Sequence, residues 1–337
     1  MALADLVLEG GGAKLPGLIG AISALSEGPG NYEFQRVAGT SAGAIVGALT
    51  AAGASIEFMK QVMLGQDFTE FEDVAPLFRC VPALGQAGGL LLHQGMYRGR
   101  ALHAFLTDLL ADLGVRTWAD LRQEDPGSSL PPEQHYKLVV VVSDISRGRV
   151  LRLPWDYRDR LGVDPDDQPV ADALYASAAI PFFFRPRRLP ADPRVVGHRS
   201  VLGVDGGLLS RFPVDIFDRT DLLPPRWPTI GVKLSAQETA STGWRPNHNT
   251  FQYAVSVMAT LINARDSIHI NDPEVTARTV FVDTTGYRST DFDISREQKL
   301  NLFDRGAQAG EHFLTGRDGQ AGVPRDGRPH PLPSAEK

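Results

Sequence analysis

Two strand-turn-helix units follow one another at the start of the chain and constrain the fold more than any other feature. In the first, the apolar run 6–8 is followed by three glycines at 10–12 and by apolar residues at helical spacing over 18–25. In the second, a strand-like run leads through a turn at 39–43 into a helix of small residues. Consecutive units of this kind predict a parallel sheet with right-handed crossovers, which is an α/β fold.

Later apolar runs extend this pattern. The β-branched run 138–143 is typical of a strand covered on both faces. Residues 65–135 interrupt the alternation, so they predict a helical and loop insertion placed like a lid over one end of the sheet. A single domain is predicted at 1–315, and the aperiodic residues 316–337 predict a disordered tail. Further strands are predicted at 150–153, 201–204, 229–234 and 279–283, and helices at 98–113, 170–178, 253–269 and 295–314.

Composition limits which classes of partner the protein can bind and in which cellular compartment it is expected. The 337 residues include 42% hydrophobic and 22% charged residues, as in soluble proteins, and carry a formal net charge of −6. This acidic balance argues against nucleic acid as a partner. The one cysteine, Cys80, permits no internal disulfide. Because neither a signal-type N-terminus nor a run of about 18 apolar residues is present, we expect a cytoplasmic protein that is peripheral to membranes. Export by a route without a cleavable signal stays open.

The residues Gly39-Thr40-Ser41-Ala42-Gly43 fit the pattern G-x-S-x-G. A serine on a sharp strand-to-helix turn projects its hydroxyl away from the sheet, and the flanking Gly39 and Gly43 avoid clashes in the bend. The N–H groups at the start of the helix favour negative charge nearby. The alternative is that Ser41 only caps the helix. The strand before it and the helix after it favour a nucleophile.

The glycine run Gly10, Gly11 and Gly12 precedes Lys14. It does not fit a dinucleotide fingerprint, since Leu15 stands where a third glycine is needed, and it does not fit a P-loop, since no Ser or Thr follows Lys14. Consecutive glycine N–H groups can instead converge on an anion, with Lys14 adding positive charge. Beside a nucleophilic serine, such a loop would be an oxyanion hole. A simple tight turn is the alternative.

A nucleophilic serine requires a base, and Asp205 is the strongest candidate. It ends an apolar strand in Val204-Asp205-Gly206-Gly207, and the carboxyl ends of parallel strands meet at one edge, where Ser41 and the glycine loop are also expected. The alternative is a hairpin turn at Asp-Gly. The eight histidines show no catalytic signature, although His269 would serve in a histidine triad. No grouping of side chains predicts a metal site, and no motif predicts a cofactor.

Four blocks in this order resemble those of patatin-like phospholipases. The blocks are Glu9-Gly10-Gly11-Gly12-Ala13-Lys14, Gly39-Thr40-Ser41-Ala42-Gly43, Ala176-Ser177-Ala178-Ala179-Ile180-Pro181 and Asp205-Gly206-Gly207. The resemblance covers residues 5–315 and implies a three-layer α/β/α fold with a mainly parallel central sheet. It also implies a Ser-Asp dyad without histidine. Ser41 would be the nucleophile, Asp205 its base, and the three glycines the oxyanion hole, with Lys14 beside it.

The sequence departs from the family pattern at two places. Leu15-Pro16 stand where members usually have glycine directly after the basic residue, and Ser210-Arg211-Phe212-Pro213 form a variant segment where members often have asparagine before the proline. The first departure, at Leu15-Pro16, is expected to change the shape of the backbone where the glycine loop leads into the following helix. The three glycines themselves are intact, so the catalytic interpretation is kept.

The resemblance implies a carboxylic ester hydrolase of the phospholipase A or lysophospholipase type, which needs no metal. Its substrate would be a membrane or micellar phospholipid or another acyl-ester lipid, held by apolar segments such as 68–78, 90–92 and 182–184, although 182–184 fit a core equally well. Acyl transfer through the same acyl-enzyme is one alternative, and a non-catalytic lipid-binding or scaffold protein is another. No feature identifies an activator, which some relatives need, or an oligomeric state.

Overall fold

A computed structural model describes residues 1–28, 30–74, 94–125, 127–221, 223–234 and 272–316. Several sequence predictions lie outside these residues. They are the helix at 253–269 with His269, the apolar run 90–92, Cys80, and the predicted tail apart from Gly316.

An eight-stranded sheet forms the centre of the described chain, with four parallel and three antiparallel pairings. Its strands are β1 (Ala2–Leu8), β2 (Tyr32–Thr40), β4 (Leu138–Asp144), β5 (Arg149–Leu153), β7 (Arg187–Pro190), β8 (Ser200–Asp205), β9 (Thr229–Lys233) and β10 (Thr279–Phe281), while β3 (Gly95–Tyr97) and β6 (Phe182–Phe184) form a separate parallel pair. The order is β10-β9-β1-β2-β4-β8-β7, with β5 paired to β4. The predicted strands among these are confirmed.

Helices pack on this sheet and give the three-layer α/β/α fold that the resemblance implied. They are α1 (Leu15–Ser26), α2 (Ala42–Ala51), α3 (Ile56–Gly65), α4 (Arg100–Asp112), α5 (Val170–Ala178), α6 (Pro193–Val196), α7 (Pro273–Ala277) and α8 (Arg296–Thr315). Helices α1 and α8 approach so closely that a Cβ on Gly20 would overlap the carbonyl of Phe303. No helix of the described ranges is long and apolar enough to cross a bilayer.

The described parts of the predicted insertion at 65–135 contribute to the core. The side chain of Trp118 is fully buried. Tyr97 of β3 contacts Phe183 of β6, with 4.7 Å between the ring centroids, and Phe183 stacks on Phe292 at 5.2 Å. Phe184 is also buried in this cluster, so the core interpretation is favoured for these two phenylalanines. The lid over the sheet stays a prediction. The buried residues of α4 are Leu102, Leu106, Leu109 and Leu110.

The register of β1 and β2 brings two candidate loops together. These strands are parallel, and Leu8 lies opposite Gly39. The glycine loop that follows β1 therefore lies beside the turn that follows β2. The candidate oxyanion loop and Ser41 share one edge of the sheet, as the sequence predicts for parallel strands.

Asp205 reaches the same edge by a different route. Sequence reasoning treated its strand as parallel, which is wrong, because β8 runs antiparallel to β4 with Asp205 opposite Val142 and Gly203 opposite Asp144. Strand β8 therefore begins beyond the end of β4 and runs back toward the edge. The neighbouring pairing of Thr40 with Val141 places Asp205 close to the turn after β2.

Candidate active site

Ser41 occupies a sharp turn between β2 and α2. Its backbone has φ 54° and ψ −125°, a conformation that residues other than glycine rarely adopt. The turn needs Gly39 and Gly43, because a Cβ on Gly39 would overlap the backbone of Gly43, and a Cβ on Gly43 would lie 2.5 Å from the carbonyl oxygens of Leu8 and Glu9. The tight bend separates the serine side chain from the strand and the helix that flank it.

The Ser41 hydroxyl donates a hydrogen bond of 2.7 Å to Oδ2 of Asp205, which lies 164 residues away in the chain. It does not cap α2, so the capping alternative does not describe this hydroxyl. The other carboxylate oxygen of Asp205 accepts from the Gly207 N–H at 2.8 Å. Residues 206–208 form a 3₁₀ turn, not a hairpin. Ser41 is 5% and Asp205 7% exposed, so bulk water has little access to the pair.

The environment of Asp205 makes it a stronger base than an ordinary aspartate. Burial raises its pKa to about 6, although the Ser41 hydroxyl, the Gly207 N–H and the Arg211 cation all act in the opposite direction. A carboxylate with a pKa near 6 is mainly ionised at pH 7 and still binds a proton more readily than a solvated one. Such a group is suited to take a proton from Ser41.

The glycine loop lies against the serine. A Cβ on Gly10 would stand 3.2 Å from the Cβ of Ser41, and Gly12 has φ +54°, which favours glycine. The Gly10 N–H donates to the Arg211 carbonyl at 3.2 Å. Within the described residues, the N–H groups of Gly11 and Gly12 donate to no protein acceptor. Unpartnered backbone donors beside a nucleophile are what anion binding requires.

Lys14 is held at the carboxyl end of β9. Its Nζ donates to the Thr284 hydroxyl at 3.1 Å and to the Leu234 carbonyl at 3.3 Å. Burial and the cation of Arg211 lower its pKa to about 8, so the ammonium stays mainly protonated at pH 7. Its predicted place beside an oxyanion hole stays a prediction.

A buried carboxylate lies beside this loop. Glu9 accepts from Nζ of Lys233 at 2.6 Å and from the Leu234 N–H at 2.5 Å, and its Oε1 lies 3.5 Å from Nε of Arg211. Burial alone would raise the pKa of Glu9, but the cations of Arg211 and Lys233 outweigh it and lower the pKa. The first block of the resemblance contains Glu9, although sequence reasoning gave it no role.

Ser177 is a second residue that sequence reasoning missed. It is fully buried at the end of α5. Its Oγ accepts from the backbone N–H of Ser41 at 2.8 Å and donates to the Val141 carbonyl at 2.6 Å. The available signal was its place in the third block of the resemblance. These two bonds fix the amide of the candidate nucleophile on the central sheet.

Replacing Ser177 with alanine leaves the Ser41 N–H without its acceptor. We expect Ser177→Ala to lower the free energy of unfolding by about 1–3 kcal/mol and kcat by about tenfold, because the unusual backbone of Ser41 loses a restraint. The matched control is Thr279→Val, which removes a buried hydroxyl bonded to the Val275 carbonyl at 2.6 Å. Equal losses of kcat in the two variants would contradict the positioning role. Thermal unfolding and steady-state kinetics measure both quantities.

Two of the described histidines bond to groups other than Ser41, and the potential metal ligands of the described residues do not cluster. No group of three or more His, Cys, Asp or Glu side chains comes close enough there to hold a metal ion. His103 bonds to Asp172 at 2.7 Å and His135 to the Leu130 carbonyl at 2.9 Å, so these two histidines are engaged with other groups.

The comparison with known families agrees with this geometry. A model of the patatin-like phospholipase family matches residues 6–218, which include the glycine loop, Ser41 and Asp205. The chain belongs to this family. At the level of the family, the patatin-like chain is a lipid ester hydrolase.

Individual proteins extend the comparison. YqhO of Bacillus subtilis is 33% identical to this patatin-like chain over 313 residues, covering 92% of this chain and 97% of YqhO. The RpoH suppressor of Rhizobium meliloti is 28% identical over 134 residues, covering 32% of this chain and 21% of that protein. The crystal structure of VipD from Legionella pneumophila shares the fold, with a TM-score of 0.51 and 18% identity over 93% of this chain and 67% of VipD.

Proposed function

We propose that this protein is a lipid acyl hydrolase of the phospholipase A or lysophospholipase type, which acts through Ser41 and Asp205 and an acyl-serine intermediate. Membership of the family supports a lipid ester as the substrate, presented by a membrane or a micelle. The main support for a Ser41–Asp205 dyad is the 2.7 Å hydrogen bond from the Ser41 hydroxyl to the buried carboxylate of Asp205.

In the first half of the reaction, Oγ of Ser41 attacks the ester carbonyl carbon while its proton passes to Oδ2 of Asp205. The carbonyl oxygen becomes an oxyanion, which accepts hydrogen bonds from the N–H groups of Gly11 and Gly12. The tetrahedral intermediate then breaks its bond to the leaving oxygen. Asp205 returns the proton to that oxygen, so the lysolipid or glycerol product leaves as an alcohol.

In the second half, water attacks the acyl-serine and gives its proton to Asp205. The second tetrahedral intermediate collapses and releases the fatty acid, and Ser41 recovers its proton. A carboxylate is a weak base for an alcohol, so the low exposure of the pair matters, because exclusion of water raises the basicity of Asp205 and strengthens each hydrogen bond to the oxyanion.

The products of the reaction test the proposal. We expect the protein, incubated in H₂¹⁸O with vesicles of 1-palmitoyl-2-oleoyl-phosphatidylcholine, to release a fatty acid that contains one ¹⁸O atom, and Ser41→Ala to release none. The identity of the released chain reports the position of the cleaved ester. If the acyl group instead appears on an added lysophospholipid and no free acid forms, the protein is an acyltransferase. Absence of both products would contradict the proposal and favour a lipid-binding role.

A further inference from the structure

Arg211 bonds to both polar groups of Gly10. The Gly10 N–H donates to the Arg211 carbonyl at 3.2 Å, and Nε of Arg211 donates to the Gly10 carbonyl at 2.9 Å. Arg211 lies on the loop that follows Asp205, and the preceding residue of this loop, Ser210, accepts from the Thr40 hydroxyl at 3.0 Å. The loop that carries the candidate base is therefore tied to the glycine loop and to the residue before the candidate nucleophile.

The bond to the Gly10 carbonyl also sets the direction of the Gly11 N–H. These two groups belong to one planar trans peptide and point in opposite directions. The plane lies between two glycines, which restrict rotation less than any other pair of residues. Rotation by half a turn would place the carbonyl oxygen where the N–H had been, and an oxyanion there would meet a partial negative charge instead of a donor.

The guanidinium of Arg211 is itself held in place. Its side chain is 15% exposed, and the fully buried Glu9 lies 3.5 Å from its Nε. Glu9 is in turn fixed by the ammonium of Lys233 and the N–H of Leu234. A charged donor beside a fixed carboxylate keeps its direction, so its bond to the Gly10 carbonyl resists rotation of the peptide.

We propose that Arg211 is a positioning residue that locks the Gly10–Gly11 peptide so that the Gly11 N–H faces the oxyanion. The proposal rests on the proposed hydrolase function. It gives a role to an arginine in the segment 210–213, which departs from the family pattern. Its effect falls on the transition state, since the ground-state ester carries no full charge for the N–H to bind.

Two variants distinguish the hydrogen bond of Arg211 to the Gly10 carbonyl from the positive charge of its side chain. Arg211→Lys keeps a cation beside Glu9 but lacks the planar guanidinium, whereas Arg211→Gln removes the cation. We expect both variants to lose about 10–100-fold in kcat, with KM changed less than about threefold. A trifluoromethyl ketone with a fatty chain forms a tetrahedral oxyanion on serine, so its affinity should fall by the same factor as kcat/KM.

The pH profile separates loss of the Arg211 charge from loss of its hydrogen bond to the Gly10 carbonyl. Asp205 is contacted by the Ser41 hydroxyl from the turn after β2 and by the Gly207 N–H and the Arg211 charge from its own loop, and its pKa of about 6 sets the acid limb of kcat/KM. Activity should rise as pH rises through this limb. The limb should move to higher pH in Arg211→Gln, because a cation that favours the carboxylate is lost, and should stay in place in Arg211→Lys.

The matched control is Arg147→Gln. Arg147 is 19% exposed, its Nε pairs with Asp144 at 2.6 Å, and its Nη1 donates to the Arg160 carbonyl at 2.9 Å, without contact to the glycine loop. We expect this variant to keep kcat within about twofold. Circular dichroism and thermal unfolding confirm folding, and Arg211→Lys carries the test if Arg211→Gln does not fold.

Arg211 variants with wild-type kcat, or with reduced kcat but unchanged affinity for the ketone, would overturn the positioning role. Ser41→Ala is measured alongside them. If Ser41→Ala is inactive while the Arg211 variants are fully active, the hydrolase function stands and only the role of Arg211 is wrong. If Ser41→Ala keeps its activity, the proposed function itself fails.

Discussion

Ser41→Ala is expected to lower fatty-acid release from phospholipid vesicles by about 10⁴-fold or more, with no comparable change in lipid binding or in folding. The reason is chemical, since alanine has no oxygen to attack the ester and no acyl-enzyme can form. The hydroxyl donates to Asp205 and does not cap α2, so its loss leaves the start of the helix intact and removes one donor from a buried carboxylate, at a cost of about 1–3 kcal/mol in the free energy of unfolding. Release of fatty acid from vesicles and the free energy of unfolding measure the two effects.

The matched control for this substitution is Ser26→Ala. Ser26 is a partly buried serine of α1, and its hydroxyl donates to the Ile22 carbonyl at 2.8 Å. We expect full activity in this variant. Residual activity of Ser41→Ala above about 1% of wild type would mean that another group performs the attack, and the dyad would then be wrong.

Asp205→Asn is expected to lower kcat by about 10²–10⁴-fold, because asparagine cannot accept the serine proton. The same substitution should raise stability at pH 8 by about 1–3 kcal/mol. The folded-state pKa of Asp205 is raised from 3.8 to about 6. The carboxyl therefore stabilises the fold only while it is protonated, and this contribution is lost as pH rises through about 6. Asparagine, which is never charged, avoids that loss.

If the raised pKa of Asp205 causes the gain in stability, the gain must depend on pH, whereas an effect of the substitution on packing would not. The difference in the free energy of unfolding between Asp205→Asn and wild type should shrink as pH falls from 8 toward 4. The control is Asp144→Asn, which removes a buried carboxylate from its ion pair with Arg147 at 2.6 Å and should lower stability while retaining activity. A less stable Asp205→Asn at pH 8 would show that Asp205 is not a strained, functional carboxylate.

Local sequence pattern was sufficient for much of the fold and for the nucleophile turn. The glycines at positions 12, 39 and 43 are needed where the backbone makes close approaches or adopts positive φ, and such needs can be seen in a short stretch of sequence. The alternating strand and helix patterns likewise predict the parallel pairings of β1 with β2 and of β2 with β4. Sequence pattern is sufficient for these strands and turns because each one is formed by residues that are close together in the chain.

Asp205 shows the limit of that reasoning. Its position beside Ser41 at one edge of the sheet was predicted from the behaviour of parallel strands, but β8 is antiparallel to β4, and the register of that pair brings the carboxylate to the edge. Strand direction depends on the path of the chain between strands, which the apolar pattern of a strand does not encode. The resemblance names the same residue because the block contains it directly, and its role as the base stays a prediction.

The supporting contacts were beyond sequence reasoning. Ser177 reaches the Ser41 amide across 136 positions, and Arg211 reaches the Gly10 carbonyl across 201. Each hydrogen bond joins two segments that are far apart in the chain and that only the folded sheet brings together. Arg211 lies in the segment that departs from the family pattern, but the sequence does not show that it bonds to the Gly10 carbonyl.

The acyl-enzyme tests the central claim most directly. Wild-type protein is mixed with phospholipid vesicles, quenched in acid within the first turnovers and digested for peptide mass spectrometry, with Ser41→Ala and Asp205→Asn in parallel. We predict a fatty-acyl mass on Oγ of Ser41 in the wild type and none in Ser41→Ala. Release of fatty acid by the wild type with an acyl group on another residue, or with Ser41 unmodified throughout, would contradict the account.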